Sequence, residues 1–144
     1  GWSEKDSAQV TPGPYLETHP ADVILLHIGT NHVEASADDV EAILDNIRKS
    51  DPEVFILVAR IINRYPNHAV TTAFNDKVEA MVTGRGDDRI VLVDMEDGAG
   101  IDYYMDMDDD LHPNHIGYDK MAIAWYAVLV DLFETPEFKG RLNP

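Results

Sequence analysis

Apolar positions come as short blocks separated by spaced stripes. Val23-Ile24-Leu25-Leu26-His27-Ile28 is one block, closed by Gly29. Its shortness, its β-branched residues and the turn residue behind it predict a buried strand. Val54-Phe55-Ile56-Leu57-Val58-Ala59 and Ile90-Val91-Leu92-Val93-Asp94 have the same form and predict two more. Between the first two blocks, Val40, Ile43, Leu44 and Ile47 follow the i, i+3, i+4, i+7 spacing of an amphipathic helix. Ser36 is suited to cap it, Asp39 suits its positive end, and Asp51-Pro52 stops it. Val70, Ala73, Phe74, Val78, Met81 and Val82 predict a second helix ending at Gly84. A last helix is expected from about Ile116 to Phe133, apolar over much of its circumference. Residues 1–20 are polar and broken by Pro12, Pro14 and Pro20, with a short helical piece expected near Pro14–Glu17. An irregular acidic loop runs from Glu96 to His115.

Strand, helix, strand, helix, strand, loop, helix is the order of a parallel sheet with right-handed crossovers and helices on both faces. No repeat or linker divides residues 1–144, so one α/β domain is expected. Ligands of such sheets sit beyond the carboxyl ends of the strands. The informative positions are therefore Gly29–His32, Arg60–Tyr65 and the loop after Asp94.

Composition narrows the chemistry. The formal charge of −16 arises from 27 acidic and 11 basic residues. Such a surface repels phosphate backbones and anionic lipid, so no nucleic-acid or membrane partner is expected. No apolar run reaches membrane-spanning length. The absence of cysteine removes disulfides, thiolate metal sites and thiol nucleophiles.

Two strand-end motifs stand out. Gly29 permits a tight turn, and the Asn31 amide can donate a hydrogen bond into a cleft, although Gly-x-Asn also suits an ordinary turn. Asp109-Asp110-Leu111-His112-Pro113-Asn114 places a carboxylate three residues before a histidine. Asp109 can fix the His112 tautomer and support the imidazolium formed when His112 acts as a base. Asp110 is the neighbouring alternative, and an acidic solvated loop with an incidental histidine is the plain reading. Asn114 can cap the final helix.

Together the two motifs resemble the SGNH (GDSL-type) hydrolase superfamily, in the flavour of carbohydrate esterases of acetyl xylan esterase type. Gly29-Thr30-Asn31 looks like the family's Gly-x-Asn-Asp block and Asp109-x-x-His112-Pro113 like its Asp-x-x-His block. Ala21-Asp22-Val23-Ile24-Leu25-Leu26, Gly117-Tyr118, Gly1-Trp2 and Lys120-Met121-Ala122 agree. The resemblance implies a three-layer α/β/α, flavodoxin-like parallel sheet and cleavage of an ester, with acetylated carbohydrate as the family-level substrate and no cofactor. It implies His112 as base, Asp109 as the acid that orients it, and Asn31 and Gly29 as the oxyanion and substrate-binding residues. It also makes secretion plausible, although no signal peptide opens the chain.

The departures carry consequences. No Gly-Asp-Ser block occurs; the serines are Ser3, Ser7, Ser36 and Ser50, and none follows a strand. His32 replaces the Asp that follows Asn in the family. The chain thus reads as the family fold missing its first strand-helix-strand unit, with little activity expected from it alone. An absent first strand would leave Val23–Ile28 as an exposed apolar edge, so either a longer natural protein or a homodimer paired along that edge is expected. Two rivals stay open: a loose calcium loop among Asp102, Asp106, Asp108, Asp109 and Asp110, which fails the EF-hand template, and a non-catalytic member that binds carbohydrate or a protein. His27 reads as a satisfied core histidine, and His27, His32, His112 and His115 lack zinc spacing.

Overall fold

A computed structural model describes residues 16, 18–31, 33, 36–65 and 68–142. Among these residues three strands, β1 (Val23–Leu26), β2 (Phe55–Arg60) and β3 (Ile90–Asp94), form one parallel sheet in the order β1-β2-β3. Val23 stands beside Phe55, and Ile56 beside Ile90. The α/β architecture agrees with the sequence reading, and β1 lies at an edge. The suggested helical piece at Pro14–Glu17, and Ser3, Ser7 and His32, fall wholly or mostly outside the described residues.

The layers follow from the pleat of β2, whose successive side chains point to opposite faces. Ile56 and Val58 pack with Val40, Ile43, Leu44 and Ile47 of α1 (Asp38–Ser50) and with Phe74, Val78 and Val82 of α2 (Ala69–Arg85). Phe55, Leu57 and Ala59 pack on the other face with Trp125, Val128, Leu129 and Leu132 of α3 (His115–Glu134). The middle strand is buried on both sides, hence its unbroken apolar run.

Several boundaries differ from the sequence reading. β1 ends at Leu26 rather than Ile28, because the His27 ring turns to accept the Ile62 N–H at 3.2 Å and Gly29 opens a turn at φ +127°. Helix α1 begins at Asp38, and Ser36 Oγ accepts the Asp38 N–H at 3.2 Å without being the cap position. Helix α2 runs through Gly84 and stops at Gly86, which takes the left-handed conformation at φ +59°. A further helix, α4 (Pro136–Leu142), follows α3. Thr135 Oγ1 accepts the Phe138 N–H and Pro136 occupies the first turn, a start signal legible in Thr-Pro-Glu but not read. Phe138 then buries itself against Phe55 and Phe133, with ring centroids 5.5 and 4.8 Å apart.

Candidate active site

The site is built where the strands end. Behind β1, Gly29 is buried with its Cα against the Phe74 ring. A Cβ there would lie 2.5 Å from that ring, so glycine is required by space as well as by φ. Thr30 and Asn31 follow on the surface of a cavity of about 250 Å³. His27, Ile62, Leu111, His112, Pro113, Tyr118 and Met121 complete its lining. The Gly-x-Asn turn and the Asp-x-x-His loop, eighty residues apart, therefore meet at one cavity.

Within the loop, Asp109 and not Asp110 reaches the imidazole. Its Oδ1 and Oδ2 lie 3.0 and 2.9 Å from His112 Nδ1. The Leu111 and His112 N–H groups each donate to Asp109 Oδ1 at 2.8 Å, folding the loop around the carboxylate. These bonds, the imidazole's first, pull the Asp109 carboxyl down to about 2. An anionic Asp109 on Nδ1 leaves Nε2 as the free ring nitrogen of His112. Both side chains are more than half exposed, so the cavity is an open cleft. The Asp110 carbonyl instead accepts the Tyr65 N–H at 3.0 Å.

The loop is held from behind. Asn114 caps α3, accepting the Ile116 and Gly117 N–H groups, as its position before the helix suggested. Its backbone N–H donates to the Asp106 carbonyl at 2.8 Å. Lys120 Nζ clamps Asp106 Oδ2 at 2.6 Å and the Gly100 carbonyl at 2.8 Å. Gly117 has no room for a side chain, since a Cβ would lie 2.4 Å from the Asp106 carbonyl oxygen. Asp106 is thus spent on holding the loop. Among the described residues no three His, Asp or Glu side chains are grouped to hold a metal ion.

Several supporting residues lie outside the two motifs legible in the sequence, some of them in Arg60–Tyr65. The Arg64 guanidinium donates through Nη2 to the Thr30 carbonyl, fixing the Asn31 turn from behind. Buried Glu96 accepts from Thr72 Oγ1, Asn63 Nδ2, Asn75 Nδ2 and Arg60 Nη2 at 2.5, 2.8, 2.9 and 2.9 Å. Burial alone pushes its carboxyl up, and those four donors more than reverse this. Tyr103 joins the network, accepting the Asn63 N–H and donating to the Glu96 carbonyl. Burial first, then nearby carboxylates, pushes its phenol up to about 12. His27, expected as a core residue, is half-buried and lines the cavity, its Nε2 accepting the Ile62 N–H; burial lowers its pKa.

A three-layer α/β fold with a histidine–carboxylate pair beyond the strand ends defines the class. Similar proteins sharpen it. No family model matches the sequence. A multidomain esterase of Ruminococcus flavefaciens is 26% identical over 125 residues, 78% of this chain and 16% of that protein. A putative endoglucanase X of Acetivibrio thermocellus is 27% identical over 137 residues, 90% of this chain and 58% of that protein. The chain therefore spans less than two thirds of either relative. Among solved structures, an acetyl esterase mutant with acetate ion matches at TM-score 0.81 and 25% identity, covering 92% of this chain and 69% of its own. A family 3 carbohydrate esterase from Clostridium thermocellum matches at TM-score 0.75 and 25% identity, covering 91% and 66%. The chain is similar in fold and sequence to the SGNH-type carbohydrate esterases of family 3.

Proposed function

We propose that this chain carries the base, the orienting acid and an oxyanion donor of an SGNH-type ester hydrolase acting on acetyl esters of carbohydrate. The observation that supports it most is the Asp109–His112 pair, held at 2.9 Å in one cavity with Asn31. In this reading a serine hydroxyl attacks the ester carbonyl and passes its proton to His112 Nε2. Asp109 stabilises the imidazolium, and the Asn31 amide with backbone N–H groups of its turn binds the oxyanion. His112 then protonates the leaving alcohol. Water, deprotonated by the same histidine, releases acetate from the acyl-serine.

The sequence contains no Gly-Asp-Ser turn to supply that serine. Loss of a triad member costs on the order of 10⁴–10⁶-fold in rate. This chain alone is therefore expected to hydrolyse p-nitrophenyl acetate barely above buffer, with His112→Ala making little difference. Rapid hydrolysis lost in His112→Ala would overturn that expectation and require one of Ser3, Ser7, Ser36 or Ser50 as nucleophile. The open cleft also suits a second reading, a non-catalytic member that binds carbohydrate or a protein there. Binding of acetylated xylan, with no hydrolysis even when a serine-bearing unit is supplied, would favour it.

A further inference from the structure

Two tyrosine rings, one on the loop that carries His112 and one from the segment bonded to it, are not used by the ester chemistry. Tyr65 and Tyr104 meet edge to face, their centroids 4.9 Å apart at 87°. Tyr104 is 73% exposed and the adjacent Met105 72%, while Tyr65 is 39% exposed. Large apolar side chains left this open beside a site mark a contact surface. The rings are fixed to the catalytic loop at both ends. The Tyr65 N–H bonds the Asp110 carbonyl, and the Met105 carbonyl accepts Asn114 Nδ2 at 2.9 Å, in the residue that caps the helix behind His112. Edge-to-face packing holds the pair in one orientation, so little freedom is lost when a ligand covers it.

The surroundings decide what kind of ligand fits. Asp102, Asp108 and Asp110 are exposed on the same loop. Lys120 is paired with Asp106, and Arg64 turns toward the Thr30 carbonyl. The open Tyr104 ring, braced edge to face by Tyr65 on a loop that exposes carboxylates, suits a molecule with an apolar face and hydroxyl donors at its edge, and disfavours one that carries negative charge. We propose that Tyr104, braced edge to face by Tyr65, forms a stacking subsite for an uncharged pyranose of a glycan chain. The acidic rim makes this subsite select neutral chains over those substituted with uronic acids. The inference rests on the hydrolase reading only for the direction in which the chain runs from the subsite to His112.

The test is an NMR titration of the full chain with xylohexaose, and with the same oligomer carrying a glucuronic acid branch. Neither ligand carries an ester, so the outcome is independent of whether hydrolysis occurs. The expected result is movement of the Tyr104 and Tyr65 ring signals by xylohexaose. Tyr104→Ala, at an exposed position, should bind about threefold to tenfold more weakly. The branched oligomer should bind more weakly in 20 mM salt, with the gap closing in 0.5 M salt. Unmoved tyrosine rings, undiminished binding by Tyr104→Ala, or equal binding of both oligomers at low salt would overturn the proposal. Failure of the hydrolase reading would show instead in the esterase assay, with these signals unaffected.

Discussion

Glu96 and Asp109 show how differently two carboxylates can be held. Glu96 is 3% exposed and receives four donors from α2, β2 and the segment behind β2. Glu96→Gln would turn an amide N–H₂ toward the amide N–H₂ of Asn63 or Asn75, which can only donate, at a cost of about 2–4 kcal/mol. Urea unfolding should show that loss, and an unchanged midpoint would mean the network is slack. Asp109 lies in the open and is held by its own loop. Its carboxyl is lowered from 3.8 to about 2, so its bonds hold fully above about pH 4 and are lost as pH falls toward 2. The Asp109 carboxyl carbon should titrate near 2 by NMR, and a midpoint near 3.8 would show that His112 is not held. Asp109–His112 was legible because both ends lie within four residues. The Glu96 network was not, because its donors meet only after the strands align.

The strands and the cores of α1 and α2 were legible because their apolar periods match their burial. The ends were misread where a local contact overruled the pattern, as with His27 bonding Ile62 and Gly86 rather than Gly84 closing α2. The apolar circumference read for α3 has a consequence of its own. Ile116, Ile123, Tyr126, Val130 and Phe133 are each exposed by 41% or more and fall on one stripe of the helix. Among the described residues β1 pairs on one side only, with Leu25 43% exposed. An unpaired edge and an uncovered apolar stripe both favour self-association. The chain is expected to run as a dimer or larger in light scattering, with Ile123→Glu and Tyr126→Glu shifting it toward monomer. A stable monomer of the unaltered chain would remove the edge-pairing idea.

Over the whole molecule the −16 charge opposes compaction, whereas pairs such as Arg48–Asp87 at 2.6 Å and Arg141–Asp51 at 2.8 Å favour it. Those two are partly sheltered, but exposed pairs such as Arg89–Glu53 and Lys139–Glu134 contribute little, so net repulsion should dominate. The urea midpoint should rise between about 10 mM and 500 mM NaCl as that repulsion is screened. A fall would show that the ion pairs carry the greater share. The central proposal, that His112, Asp109 and Asn31 serve a serine presented on a Gly-Asp-Ser turn, is open to one assay. A strand-helix-strand unit bearing a Gly-Asp-Ser turn would be joined ahead of Gly1 and p-nitrophenyl acetate hydrolysis measured. The predicted result is activity well above that of the unjoined chain, abolished by His112→Ala. Hydrolysis that survives His112→Ala in the joined protein would contradict it.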